Sequence, residues 1–263
     1  MRLRSLTKHL REQNWFAVGL DFVIVVFGVG AALAGQQALS DRQARSDYDR
    51  ALLDLRSGVY QVYYSSKERL AVRECRKARY LELGTKLMKT DTAWPGMPHE
   101  YSGLGDTVFP RVLRSPQRLW TSALWDAELA KGTFDLMDED IREEFAHMFA
   151  SGSLVEQKFQ FDVSDMEANL QALAFPLKLS LGDRLRYFDL LTRSNAASST
   201  IEVVASQNIE RIERIRFLTP LNDDEASEVR EELAQQNERL ASAYGDCLKP
   251  IVYPHLENRE VQK

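Results

Sequence analysis

Residues Trp15 to Gly35, WFAVGLDFVIVVFGVGAALAG, form one nearly unbroken apolar run. Crossing a bilayer takes about 20 such residues, and no other stretch of the chain offers them. Such a run is read as a transmembrane anchor or as a cleaved signal peptide. For cleavage stands Ala32-Leu33-Ala34 followed by Gly35, a small-x-small pattern that would place the cut after Ala34. Against it stands Asp21, a charge inside what would be the apolar core of the signal. The uncleaved anchor is the favoured reading, and both readings export the rest of the chain.

Arg2, Arg4, Lys8 and Arg11 precede the run, and Arg42, Arg45 and Arg50 follow it among Asp41, Asp47 and Asp49. Lysine and arginine set orientation, and acids contribute little. The expectation is a bacterial inner-membrane protein, single-pass, with a cytoplasmic leader (residues 1–14), a span (15–35), a periplasmic domain (36–249) and an irregular tail (250–263). The expected fold class is all-α, a transmembrane helix continuing into a helical-bundle extracytoplasmic domain.

Within the span, Asp21 is costly in hydrocarbon unless it meets a partner, a cavity or the interface. Gly28 with Ala32, Gly30 with Ala34, and Ala31 with Gly35 are small residues four apart, a spacing that lets two helices approach closely in lipid. Asp21, Gly28, Gly30, Ala32 and Gly35 are therefore candidates for transmembrane pairing. The bilayer is the first expected partner, and a second copy or another membrane protein the next.

Beyond the span the chain is long enough for one sizeable core or two small ones. Its formal charge of −5 comes from interspersed acids and bases, with no basic stripe for nucleic acid. Cys75 and Cys247 are its only cysteines, so they are no CxxC metal or redox pair. In an oxidising compartment they can form one disulfide; two unrelated thiols are the alternative.

Gln36 to about Lys89 holds no proline and only Gly58 and Gly84. Leu52, Leu55, Val59 and Val62 repeat at helical spacing, widened by Tyr60, Tyr63 and Tyr64. One continuous helix and two helices broken near Ser65-Ser66 both fit. Residues 91–116 gather Pro and Gly, and read as a loop without regular elements, packed over the helices. Further helices are expected from Ser115-Pro116 to Gly132, from Asp138, from about Ser153 to Ala174, from Gly182-Asp183 to about Leu218, and from Asn222 to about Cys247. Residues 37–89 and 183–247 are expected to pack as long antiparallel helices. Of Trp120 and Trp125, five apart, at least one is expected in the core.

His9, His99, His147 and His255 are scattered. Asp138-Glu139-Asp140 with Glu143-Glu144 lacks the spacing of a calcium loop and reads as a solvated helix start. No G-x-S-x-G elbow or phosphate loop occurs. No cofactor, metal or catalytic residue is expected, and the reading is of a protein that is not an enzyme.

Two segments resemble an uncharacterised bacterial family of single-span membrane proteins, a domain-of-unknown-function family. One is Gln13-Asn14-Trp15 leading to Asp21-Phe22 and Ile24-Val25-Val26-Phe27-Gly28-Val29. The other is Glu128-Leu129, Gly132 and Phe134 to Met137, followed by Ile141-Arg142 and Phe145 to Phe149. The chain departs from that family just after the span, where Leu39 and Ser40 replace its Trp and Asn. The resemblance implies an anchored, mainly helical domain and carries no activity. In layout alone the chain also resembles the small subunits of proton-driven membrane motors. The expected role is partner binding or scaffolding; the alternatives are an extracytoplasmic small-molecule sensor domain, with its ligand between helices or under the 91–116 loop, and an accessory subunit of a proton-driven membrane complex.

Overall fold

The computed structural model describes residues 15–89, 93–98, 100–102, 109–113, 115–116, 118, 120, 122–155, 159, 161–220 and 222–254. These residues are mostly helical. The first helix, α1, runs Trp15–Ala71 without proline. The chain divides into two units, residues 1–51 and 52–263, and α1 contributes to both.

In the first unit every residue from Gly19 to Asp47 is exposed. This includes Phe22, Ile24, Val25, Phe27 and Leu33. Among the described residues α1 alone is long and apolar enough to cross a membrane, and none of its apolar window is buried.

In the second unit the same helix becomes amphipathic. Leu55, Val59, Val62 and Tyr63 are buried at a spacing of three to four, so one face of the helix meets the core. There is no break at Ser65-Ser66, which are buried inside α1. The interruption falls at Val72, after which α2 spans Arg73–Leu87. Hydrogen bonds from Val72 N to Glu68 O and from Arg76 N to Val72 O carry the helical ladder across the joint.

The partner of this pair is α6, Leu181–Ile215. Arg56 bonds the Thr219 carbonyl just beyond α6, Tyr63 bonds Glu213, Arg76 pairs with Glu202, and Gly84 faces Phe188 and Leu191. Partner numbers fall as the first helix advances, so the two run antiparallel. A capping box fixes where α6 starts: Ser180 Oγ accepts from Asp183 N at 3.1 Å, and Asp183 Oδ2 accepts from Ser180 N at 2.9 Å. Its β-branched run stays helical because Ile201, Val204 and Ala205 are buried; packing overrides local propensity there.

Four further helices are described. Helix α3, Ala123–Ala130, starts later than the sequence predicts. Ser115 and Pro116 lie outside it, and Ser115 is instead drawn into the core by a carboxylate described below. Gly132, at φ 74°, ends this helix in the left-handed region that glycine adopts without strain. A short 3-10 turn, Thr133–Leu136, places Phe134 on Trp125, with ring centroids 4.9 Å apart. Helix α4, Glu139–Val155, is capped by Asp138, whose Oδ1 accepts from Asp140 N at 3.1 Å. Helix α5, Phe161–Leu170, passes into a 3-10 turn, Gln171–Ala174. The single helix predicted from Ser153 to Ala174 is thus divided: Ser153 belongs to α4, and α5 and the 3-10 turn follow it. The last helix, α7, Asp223–Tyr244, is capped by Asn222 accepting from Glu225 N at 2.8 Å, and a 3-10 turn, Gly245–Cys247, follows it.

The 91–116 region is less irregular than expected. It holds β1 (Ala93–Trp94), β2 (Glu100–Ser102) and β3 (Phe109–Arg111), while β4 is Leu177–Lys178. β1 pairs antiparallel with β4, and β2 with β3, Glu100 opposite Arg111. Backbone pairing lets this segment lie on the helices without stranding its polar groups. Trp94, Met97, Val112 and Leu113 join Tyr80, Leu83, Leu170, Leu173 and Leu191 in one core. Gly96, at φ 84°, lies so close to the Ala174 carbonyl that a Cβ would sit 2.8 Å from its oxygen. A second core stacks Trp125, Phe134, Phe145 and Phe149. Trp120 and Trp125 are both buried. Residues 250–253 are irregular, and Tyr253 is buried with its ring 6.1 Å from that of Tyr63; the rest of the predicted tail, from 255, lies outside the described residues.

Candidate functional site

The sequence points to two places. The first is the span. A helix turns 100° per residue, so Asp21, Gly28 and Gly35, seven apart, fall on one stripe, with Ala32 beside it. Gly30 falls on the opposite side. At Gly28, Gly30 and Gly35 an added Cβ would meet nothing within 4 Å. Among the described residues no hydrogen bond or ion pair engages Asp21.

The second is the cysteine pair. Cys75, one turn into α2, and Cys247, at the end of the last 3-10 turn, are joined in a disulfide with Cα atoms 5.3 Å apart. Neighbouring bonds tie the same two segments. Lys249 N donates to Ala71 O at 3.1 Å, and the Tyr244 hydroxyl donates to Glu68 at 2.9 Å. Glu68 also receives Arg118 Nε at 2.6 Å.

Beside the disulfide lies a cluster that periodicity did not single out. Arg76, 5% exposed, donates through Nη2 to Glu202, 6% exposed. Burial pulls the Arg76 guanidinium down from its ordinary value, though arginine stays charged in proteins. One turn on, Tyr80 bonds Ser194 at 2.7 Å and donates to Glu167 at 3.3 Å. Ser115 donates to the same Glu167 oxygen. Burial raises the Glu167 carboxyl, against the opposing pull of Ser115, Arg76, Tyr80 and Arg111. The Tyr80 phenol is pushed up to about 12 by burial and by the Glu167 charge, so it stays a donor.

The signal for this cluster was present but faint. Glu167 stands beside Met166 and three before Leu170, both core residues. Arg76 lies on the stripe that continues to Tyr80, Leu83 and Leu87. A charge in an apolar helical stripe marks a buried pair, but it does not name the partner, here 126 residues away for Arg76.

A pocket of about 290 Å³ opens against this cluster, lined by Val72, the disulfide, Arg76, Arg79, Pro98, Arg111, Val112, Leu113 and Tyr244. Arg79 is fixed in the wall: it donates to Val112 O at 3.0 Å, to Glu82 at 2.8 Å and to Pro98 O. A wider groove of about 730 Å³ runs between the second half of α1 and α7, with Glu225, Glu228 and Glu232 on one wall and Arg56 and Arg118 on the other. Among the described residues no group of three or more His, Cys, Asp or Glu side chains is placed to hold a metal ion. No protein-family model, no curated protein and no solved structure matches the chain.

Proposed function

We propose that the chain is a bitopic membrane protein whose helical domain works outside the cytoplasm by binding a partner, as a tethered scaffold. The observation that carries this reading is the complete exposure of the apolar window of α1, in a chain that packs a separate core of its own from residue 52 onward. Some 20 apolar residues left in water would be a strong drive to aggregate; in lipid they cost nothing. The basic leader sets the N-terminus in the cytoplasm, and the cysteine pair suits an oxidising compartment. The stripe of Asp21, Gly28, Ala32 and Gly35 is the face on which a second copy, or another membrane helix, would pack. The likeness to an uncharacterised single-span family agrees with this layout. A reporter fused after Lys263 tests the topology. Activity of an export-dependent reporter supports the reading, and a reporter shielded in intact cells overturns it. Crosslinking in native membranes then identifies the partner.

A further inference from the structure

Arg76 is a buried cation with most of its donors unused. Its Nη2 serves Glu202, while Nε and Nη1 have no hydrogen-bond partner. A guanidinium carries five N–H donors in a fixed fork, and leaving buried donors unpaired is costly. This residue lines the 290 Å³ pocket together with Arg111. Among the described residues no hydrogen bond or ion pair engages the Arg111 guanidinium.

We propose that the pocket beside the Cys75–Cys247 disulfide binds a small organic carboxylate, its anionic head on Arg76 and Arg111 and its apolar body against Val72, Val112, Leu113 and the disulfide. Three observations converge on that ligand class. First, among the described residues Glu202 pairs with Arg76 and Glu82 with Arg79, burial shifts Glu167 toward its neutral form, and no ion pair engages Arg111. Second, the planar guanidinium fork matches a carboxylate with two parallel hydrogen bonds. Third, the remaining wall is apolar. A doubly charged, strongly hydrated inorganic phosphate would have to shed water against valine, leucine and sulfur, which is unfavourable. At about 30 Å³ of liquid volume per water-sized group, the pocket holds a body of roughly ten non-hydrogen atoms.

The site lies wholly within the unit from residue 52 onward, so it stands apart from the membrane topology proposed above. The test uses the full chain purified in a non-ionic detergent and follows thermal unfolding and calorimetric titration with benzoate, hexanoate, uncharged benzamide and inorganic phosphate. Benzoate or hexanoate should bind at millimolar concentration or below and raise Tm, with benzamide and phosphate silent. Because a substitution at Arg76 strips buried Glu202 of its partner, the diagnostic variant is Arg111→Gln, on a half-buried strand residue. It should weaken carboxylate binding by about tenfold, with its own ligand-free Tm near that of the parent chain. Benzamide matching benzoate, phosphate outcompeting both carboxylates, or silence from both carboxylates at millimolar concentration each overturns the proposal. Unchanged affinity in Arg111→Gln does so too.

Discussion

The two units of this chain place their side chains by opposite rules. From Gly19 to Asp47 the apolar residues face outward, with Phe27 75% exposed. From residue 52 onward apolar side chains face inward, and Arg76, Glu167 and Glu202, each at least nine-tenths buried, are enclosed with them. Exposed apolar side chains and enclosed charges are both unfavourable for an isolated polypeptide in water, and each is made tolerable by a different partner. For the apolar window, on the anchor reading proposed above, it is an apolar solvent, which costs Phe27 and Val25 nothing. For the buried charges it is other side chains: Glu202 for Arg76, and Ser115 and Tyr80 for Glu167. An exposed leucine or an interior glutamate is therefore informative only with its surroundings specified.

The contrast breaks most easily at the span. Val25→Arg with Val26→Arg puts two charges near mid-span, each costing about 2.5–3.5 kcal/mol on insertion scales. The double variant should leave the membrane fraction on carbonate extraction. Thermal unfolding of the unit beyond residue 52 should be unchanged, because its core uses neither residue. Retention in the membrane pellet would end the anchor reading.

The next largest effect lies at the buried pair. Glu202→Ala leaves Arg76 charged and unpaired, and such a loss costs about 3–5 kcal/mol. At roughly 2–4 °C per kcal/mol for a unit of this size, Tm should fall by roughly 6–20 °C. Replacing both residues, Arg76→Met with Glu202→Leu, should recover much of that fall, since the desolvation penalty disappears along with the attraction. A double variant as unstable as Glu202→Ala would show that Arg76 is held by more than Glu202. The disulfide comes next. Cys75→Ser with Cys247→Ser removes a crosslink between residues 172 apart in sequence. It should cost about 2–4 kcal/mol, read as a lower denaturant midpoint. No change in midpoint would mean that Lys249 on Ala71 and Tyr244 on Glu68 already hold the C-terminal segment.

Local signals in the sequence were read more surely than long-range ones. Gly132, Asp138, and Asn222 with Glu225 mark helix ends by chemistry acting within three or four residues, while the Ser180 cap of α6 lies just ahead of the Gly182-Asp183 start read from the sequence. The long helices of the α1–α2 and α6 pair were likewise legible from apolar spacing within each. What could not be read was set at a distance. Ser115-Pro116 has the composition of a helix start, yet Ser115 is buried against Glu167, 52 residues on, and the helix begins at Ala123. The Pro- and Gly-rich segment hides β1, whose partner β4 lies beyond α5. The pocket is assembled from α2, the segment around Pro98, the end of β3 and the C-terminal turn. No window of sequence holds more than a part of it.

The smallest effects sharpen the difference between buried and exposed charge. Asp189 and Arg193 form a pair with both side chains 65% exposed; Asp189→Asn should produce no resolvable change in Tm, because such pairs sit in high dielectric and are screened. Glu167 should differ in how its effect depends on pH. Its folded pKa is raised, mainly by burial, while Ser115, Tyr80, Arg76 and Arg111 pull the other way. The native state therefore holds this proton more tightly than the unfolded chain does. The stability it contributes is fully present below the unfolded value of about 4.3 and is lost as pH rises through the folded value. Glu82, Glu74 and Asp183 are held low by Lys86, Arg73 and Ser180 respectively, so their contribution fades in the opposite direction, as pH falls below about 4.3 for the glutamates and about 3.9 for the aspartate. Glu167→Gln keeps a hydrogen-bonding group and removes the titration. The Tm of the variant minus that of the parent should therefore grow from pH 4.5 to pH 7. A difference that stays flat over that interval would show that the charges of Arg76 and Arg111 outweigh burial and hold Glu167 ionised throughout.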